Sequence, residues 1–347
     1  MPFAVEPTER GGVMGMPVQL TRVKAAMPRR RYLPAVVAEP HVIGTDESVA
    51  TALQRITTHQ FSVAIDALSD PGIEIGAAVS TAASSLGRIA ALLRLVRSSI
   101  GADTCAAEIA ILRDATALLD RLVAGSIEIR SLDEIRSRYE SALRPDALAD
   151  LRDQLVERHQ LARLEQLPAL QPGGALEDVV HQLRRARARF AAWPVDQPMH
   201  GQRPVPDSFD AFAEGLERSY RKGRKCAGKE RESPMWQRHA RDLAHQVELI
   251  SAAWPDGMAG TVATSLDLAD VLAEYAHIGA LRSTLEPGPD DSRPVAVDEI
   301  TAAVVESLCG HERGELMTVA SVLATRLYAE TPTAFVDRVA RYWSTRD

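Results

Sequence analysis

Cysteine is nearly missing from this 347-residue chain. Cys105, Cys226 and Cys309 are its three, each more than eighty residues from the next. No CxxC pair and no Cys/His spacing of a metal site occurs, so a disulfide framework and a structural metal are both excluded, and a reducing compartment is expected. Lysine is scarce as well: Lys24, Lys222, Lys225 and Lys229 are the four among 40 basic residues. Aromatic residues make up 5%. No apolar run reaches the roughly 18 residues that a membrane-spanning helix needs. The first fifteen residues hold Glu6 and Glu9 and no continuous apolar stretch, so neither membrane insertion nor a signal peptide is expected, and a cytoplasmic location is. Catalytic signatures are missing too. There is no HExxH, GxSxG, P-loop or paired-carboxylate pattern. Asp267 and Asp270 sit at i, i+3 without the Glu-x-x-His that a helical metal site would add. An enzyme, a cofactor and a bound metal are therefore not expected.

What remains is an ordinary globular balance, 46% apolar and 25% charged, which excludes a disordered or collagen-like chain. The length allows one large core or two of middle size. Residues 1–45 carry ten of the prolines and glycines and a run of five basic residues from Arg22 to Arg31 with no acid; they read as an extended, weakly ordered basic arm. Asp46 opens a helix whose apolar positions recur near helical period until Asp70-Pro71-Gly72. Further helices are expected over 73–100, 103–123, 131–139 and 146–167. After Gln171-Pro172-Gly173-Gly174 they continue over 176–192, 208–228, 234–253, 260–285, 297–309 and 316–346. No period-2 strand is found. The class is all-α, and helices of this length joined by short turns suggest antiparallel bundles.

Formal net charge is −7, which taken alone argues against a polyanion partner. Its distribution argues otherwise. From Arg218 to Arg241 nine basic residues face two acids, a local +7 that leaves −14 for the rest. Arg218, Arg221, Lys222, Lys225 and Lys229 fall at i, i+3, i+4, i+7 and i+11, one helical face. Arg238, Arg241 and His245 form another. Like charges at helical spacing repel by a few tenths of a kcal/mol, about 0.2–0.5 each, so the stack calls for bound polyanion or for acids on neighbouring helices. Arg113-Asp114 reads as a structural pair, the Arg184–Arg189 run as a solvated face, and Trp193, Trp236, Trp254 and Trp343 as core anchors beside turns.

Five stretches in order resemble the CHAD family, the conserved-histidine α-helical domain. Ser219–Lys225 (SYRKGRK) is similar to its Y-R-[RK]-G-R-[KR] helix. Arg238, Arg241, Leu243, Val247 and Leu249-Ile250 match much of the helix that follows. Arg88–Gly101, Ile111–Leu118 and Leu323–Trp343 resemble first-half and closing elements. The resemblance runs from about residue 46 to the end. It implies two pseudo-symmetric four-helix-bundle repeats, about 46–170 and 175–347, with a basic cavity between them that binds inorganic polyphosphate and catalyses nothing. The sequence also departs from the family. Ser80, Ala83, Ser84, Gly87 and Ala90 stand where the first-half motif has His and basic residues, leaving Arg94 and Arg97 as its last basic turn. Pro234 stands at a histidine position and Gln237 at an arginine, while Glu274–His277 matches the family's acid/His element imperfectly.

The resemblance and the charge pattern together assign polyphosphate contacts to Arg221, Lys222, Arg224, Lys225, Arg238, Arg241 and His245 from the second half, with Arg94 and Arg97 from the first. Arginine meets phosphate bidentately and lysine as a point charge. His239 and His245 would add charge at lower pH, since histidine ordinarily titrates near ~6.5. Nucleic acid ranks below polyphosphate because few aromatics accompany the basic run. The alternative is a divergent helical scaffold that has lost polyphosphate affinity and engages a protein or granule partner.

Overall fold

The structure, a computed structural model, describes residues 41–44, 46–123, 125–144, 146, 148–192, 205–228, 234–286, 295 and 297–345. Most of the expected basic arm, residues 1–40 and 45, lies outside these. Among the described residues there are twelve α-helices, one 3-10 turn and no strand.

The helices begin and end where local chemistry dictates. α1 (Val49–Ser69) is capped by the Ser48 hydroxyl, which accepts from the Thr51 N–H at 3.2 Å, and by Asp207, which accepts from the Val49 N–H at 2.8 Å. The start therefore falls after Asp46. α2 (Ile75–Leu95) ends at Val96, and a separate turn, α3 (Arg97–Ile100), follows. The expected single helix to Ile100 is thus broken one residue before Arg97. Gly101 adopts φ 90°, a left-handed conformation costly for other residues, and lets the chain reverse into α4 (Ala102–Leu122). α5 (Ser126–Arg138), α6 (Ala149–Leu170) and α7 (Ala175–Ala191) complete the first half.

In the second half, α8 (Asp210–Ala227) and α9 (Pro234–Ile250) carry the basic run. α10 (Pro255–Ser283) starts five residues before the expected Gly260, with Pro255 in its first turn, where a missing N–H is harmless. α11 (Glu299–Leu327) is one helix of 29 residues and overturns the expected break between Cys309 and Leu316. Gly310 and Gly314 lie in the expected gap. Both face open space, and buried Val305, Cys309, Leu316 and Ala320 carry the helix past them. The real stop lies at Thr331-Pro332. There Thr331 accepts from the Ala334 N–H at 3.2 Å and starts α12 (Pro332–Trp343).

The described elements belong to one unit, Ala38–Asp347, with a continuous apolar core. α2 is its central helix, packing on α1, α4, α8 and α9. By length and composition α2 could cross a membrane, which corrects the expectation that no stretch is apolar enough. Core helices pass the same test, and Leu86, Ile89 and Leu93 are at most 1% exposed. α10 packs on α9, α11 and α5. α7, which the sequence places in the second repeat, packs on α1, α4 and α6. Before α1, Ile43 is buried and its N–H donates to the Leu249 carbonyl at 2.9 Å.

Candidate anion-binding site

One close approach sets the site. At Gly215 in α8 a Cβ would lie 1.9 Å from the Leu95 carbonyl oxygen, so only glycine lets α8 rest on the C-terminal end of α2. Tyr220 then fixes the rotation of α8. Its ring stacks on Phe335 with centroids 4.3 Å apart, and its hydroxyl donates to the Leu327 carbonyl at 3.0 Å. With α8 held so, Arg218 and Lys222 at i, i+4 face the end of α2.

A cavity of about 240 Å³ results, enclosed by the end of α2, α3, α4, α8 and α9. Five cations line it: Arg94, Arg97, Arg218, Lys222 and Arg238. Among the described residues its wall holds a single carboxylate, Asp242, which accepts from Arg94 Nη1 at 2.7 Å. Arg218 also pairs with Glu214, one turn earlier on α8. Among the described residues Arg97, Lys222 and Arg238 form no ion pair. Cys105 also lines the cavity, but its thiol donates to the Leu93 carbonyl at 3.4 Å and burial pushes its pKa up, so it is no nucleophile.

His239 reports the local field. It is 7% exposed and lines the same cavity. Burial first, then the charges of Arg238, Lys222 and Arg94, push its pKa down to about 4. This corrects the expectation that His239 adds positive charge in mildly acidic solution; with the cavity empty it stays neutral there. Burial pushes the Asp242 carboxyl up while Arg94 and Arg238 oppose it. A cluster that penalises one more cation and has, among the described residues, one buried carboxylate can accommodate an anion.

Of the nine assigned residues, Arg94, Arg97, Lys222 and Arg238 meet in this cavity. Arg218 joins them; it stands outside the nine, although its i, i+4 relation to Lys222 on the basic face carries the signal. The other five stand elsewhere. Lys225 is exposed, one turn beyond Lys222. Arg221 is turned to solvent and pairs with Glu217 at 2.6 Å. Arg224 is exposed and acts electrostatically on Tyr220. Arg241 is exposed, and its charge acts on His277 of α10, whose pKa is lowered by burial first, then by Arg130 and Arg241. His245 belongs to a second polar cluster, 3.7 Å from Glu248. Lys229 and the side chain of Pro234 lie outside the described residues.

That second cluster occupies the other end of the α2–α9 seam. The seam is joined by Arg94 to Asp242, by the Gln246 amide donating to the Ala91 carbonyl at 3.0 Å, and by Arg88 to Glu248 at 3.8 Å. His41 lies 3.1 Å from the same carboxylate. Burial opposes the Glu248 charge, but contacts with His245 and His41 and the Arg88 charge hold its pKa well below the carboxylate range.

The secondary sequence expectations divide. Arg113 and Asp114 do pair, at 3.2 Å on the surface. In the Arg184–Arg189 run, Arg189 meets Glu108 at 2.8 Å instead of solvent alone. Trp236 is a core anchor at 1% exposure, whereas Trp254 is 44% exposed against Tyr342, and Trp193 lies outside the described residues. Among the described residues, no group of three His, Cys, Asp or Glu side chains forms a metal site. No protein-family model matches the chain, and no curated protein matches it.

Proposed function

We propose that this chain binds inorganic polyphosphate, or a polyanion of similar charge density, in the cavity where α2 and α3 meet α4, α8 and α9, and that it does so as a binding protein without catalysis. One observation carries the reading: among the described residues, five cations from four helices line one cavity with a single buried carboxylate, where burial and then the charges of Arg238, Lys222 and Arg94 keep His239 neutral. The CHAD-like stretches supply the identity of the anion, and the cavity falls between the two halves of the chain, where a pair of pseudo-symmetric bundles would place it. Arg97, Lys222 and Arg238 contact phosphate oxygens directly. Arg94, held by Asp242, keeps the wall in place and presents its remaining N–H groups. Lys225, Arg221 and Arg224 continue the charge outward along α8 for a longer chain of phosphates.

The test compares two triple variants in long-chain polyphosphate binding at low salt and at about 0.15 M. Arg97→Ala/Lys222→Ala/Arg238→Ala is expected to lose about a hundredfold in affinity and to flatten the dependence of log K on log salt by about 2, the loss of three phosphate contacts. Arg221→Ala/Arg224→Ala/Lys225→Ala is expected to lose less than about tenfold. Wild-type protein that binds no polyphosphate at low salt overturns the function. Equal losses in the two variants overturn the site.

A second reading, a helical scaffold without polyphosphate affinity, has one observation in its favour. Leu161, Leu164 and Leu167 of α6 stand at i, i+3, i+6 and are 56%, 61% and 48% exposed, a row of apolar surface suited to another helix. It becomes the reading to keep if folded wild type ignores polyphosphate at low salt.

A further inference from the structure

The cationic cavity has a rim and a floor that differ in kind. At the rim, Arg97, Lys222 and Arg238 are exposed. The floor is buried: Cys105, Ser219, His239 and Asp242 are at most 7% exposed. The helices that carry the floor close on one another through Leu93, Leu216 and Leu243, all part of the continuous core. A phosphate chain that enters at the rim therefore ends against buried side chains. We infer that the cavity takes the end of a phosphate chain, its terminal phosphoryl groups, and not a stretch of its middle, with Ser219 and His239 as the groups that read the end. This mode rests on the proposed binding of polyphosphate and narrows it.

The floor supplies donors that the rim does not. Ser219 and His239 are each 7% exposed and line the cavity. Neither side chain forms a hydrogen bond among the described residues, and the polar atoms of both stay open to the cavity. Polar side chains buried to this degree ordinarily have a partner. Their neighbours on the floor are already engaged: Asp242 accepts from Arg94 at 2.7 Å, and the Cys105 thiol donates to the Leu93 carbonyl at 3.4 Å. The serine hydroxyl can donate one hydrogen bond, and so can a neutral imidazole. Two neutral donors beneath a cationic rim call for an acceptor with negative charge. An internal phosphate gives two of its oxygens to its neighbours, and guanidinium forks and an ammonium at the rim meet the rest. A terminal phosphoryl group offers three acceptor oxygens and more charge, and the additional oxygen falls to the floor donors. Size agrees. At about 30 Å³ per water, 240 Å³ holds about eight water-sized atoms, near the bulk of two linked phosphates. The remainder of a longer chain leaves past the rim, toward exposed Arg221, Arg224 and Lys225 of α8.

The experiment uses the full chain at about 0.15 M salt and compares two small probes by calorimetry. Pyrophosphate is all chain end; cyclic trimetaphosphate has similar charge and no end. Pyrophosphate is expected to bind with Kd below about 0.1 mM and to displace long-chain polyphosphate. Trimetaphosphate is expected to bind at least about tenfold more weakly. Long chains are expected to carry one protein per chain end, whatever their length. Ser219→Ala and His239→Phe are each expected to weaken pyrophosphate about tenfold, with thermal melts to show that each is folded. The ring-against-linear comparison and the count per chain need only wild type, so they decide the matter if a variant does not fold. Equal binding of ring and linear probes overturns the end-on mode. So does a protein count that grows with chain length, or undiminished pyrophosphate binding in the folded variants. Long chains that bind while pyrophosphate does not overturn this mode and leave polyphosphate binding standing. Wild type that binds neither, even at low salt, overturns both.

Discussion

The two ends of the α2–α9 seam carry the same parts in different proportion. Each has an arginine of α2 facing a carboxylate of α9: Arg94 with the buried Asp242 at one end, Arg88 with the partly buried Glu248 at the other. At the Glu248 end the companions are two histidines, His41 and His245, and the charge is locally balanced. At the Asp242 end they are Arg97, Arg218, Lys222 and Arg238, a surplus that one carboxylate cannot cancel. The difference teaches that a surplus of charge per ångström of seam, rather than the count of basic residues along a helix, marks the candidate site. His245 sits on the basic face of α9 by spacing and yet serves the balanced end.

The sharpest way to break this contrast is pH. His239 at the cationic end has its pKa pushed down from 6.5 to about 4, so the unfolded chain binds this proton more readily than the folded one. Its neutral form therefore contributes stability that is fully present above pH 6.5 and is lost as pH falls from 6.5 toward about 4, about 3 kcal/mol in all. His239→Gln is expected to remove that slope, as read by urea unfolding between pH 7 and pH 4.5. Bound polyphosphate screens Arg238 and Lys222 and so raises the His239 pKa. Wild-type affinity should therefore rise as pH falls through this window, with a proton taken up per site. Glu248 acts separately. Its depressed pKa gives stability that is present above the ordinary carboxylate range and is lost only as pH falls below it. A His239→Gln profile identical to wild type would erase the claimed difference between the two ends.

A smaller effect is expected from Gly215→Ala. The added methyl meets backbone, not a pliable side chain, so α8 must shift off the end of α2. Overpacking of this kind costs about 2 kcal/mol. The shift also carries Arg218 and Lys222 away from Arg94 and Arg97, so polyphosphate affinity should fall with stability while the Glu248 end stays as it was. Unfolding and binding measured on the same variant check both halves.

Much of this was legible in the sequence, and what was not has physical causes. The all-α class and most helices follow from period and stop signals, because buried faces recur every three to four residues. The expected break between Cys309 and Leu316 is absent because tertiary packing outweighs the propensity cost of Gly310 and Gly314, about 1 kcal/mol per glycine. The +7 segment Arg218–Arg241 is flanked by acids, with Glu214 and Glu217 before it and Asp242 immediately after. Across 214–248 the surplus is +3. The Glu214–Arg218 and Glu217–Arg221 pairs stand at i, i+4 and could be read locally. The Arg94–Asp242 pair spans 148 residues and could not. Nor could the Gly215–Leu95 approach that brings the two groups of cations together.

The smallest predicted change separates the two acids. Asp242→Asn removes the one negative charge that the described residues place in the cavity wall but keeps an oxygen for Arg94, so polyphosphate affinity should rise about threefold to tenfold. Stability should fall by about 1 kcal/mol, since Arg94 is 28% exposed and water can take up part of the lost partner. Glu248→Gln makes the same change of charge six residues along α9, roughly 9 Å away on the helix axis. That distance is about one Debye length at 0.15 M salt, roughly 8 Å, so its effect on polyphosphate should stay below about twofold. Lowering the salt to about 0.01 M stretches the screening length to roughly 30 Å, and the two variants should then converge. Equal effects at both salts would mean that polyphosphate reads the whole basic face of α9, and the distinction between its two ends would be lost.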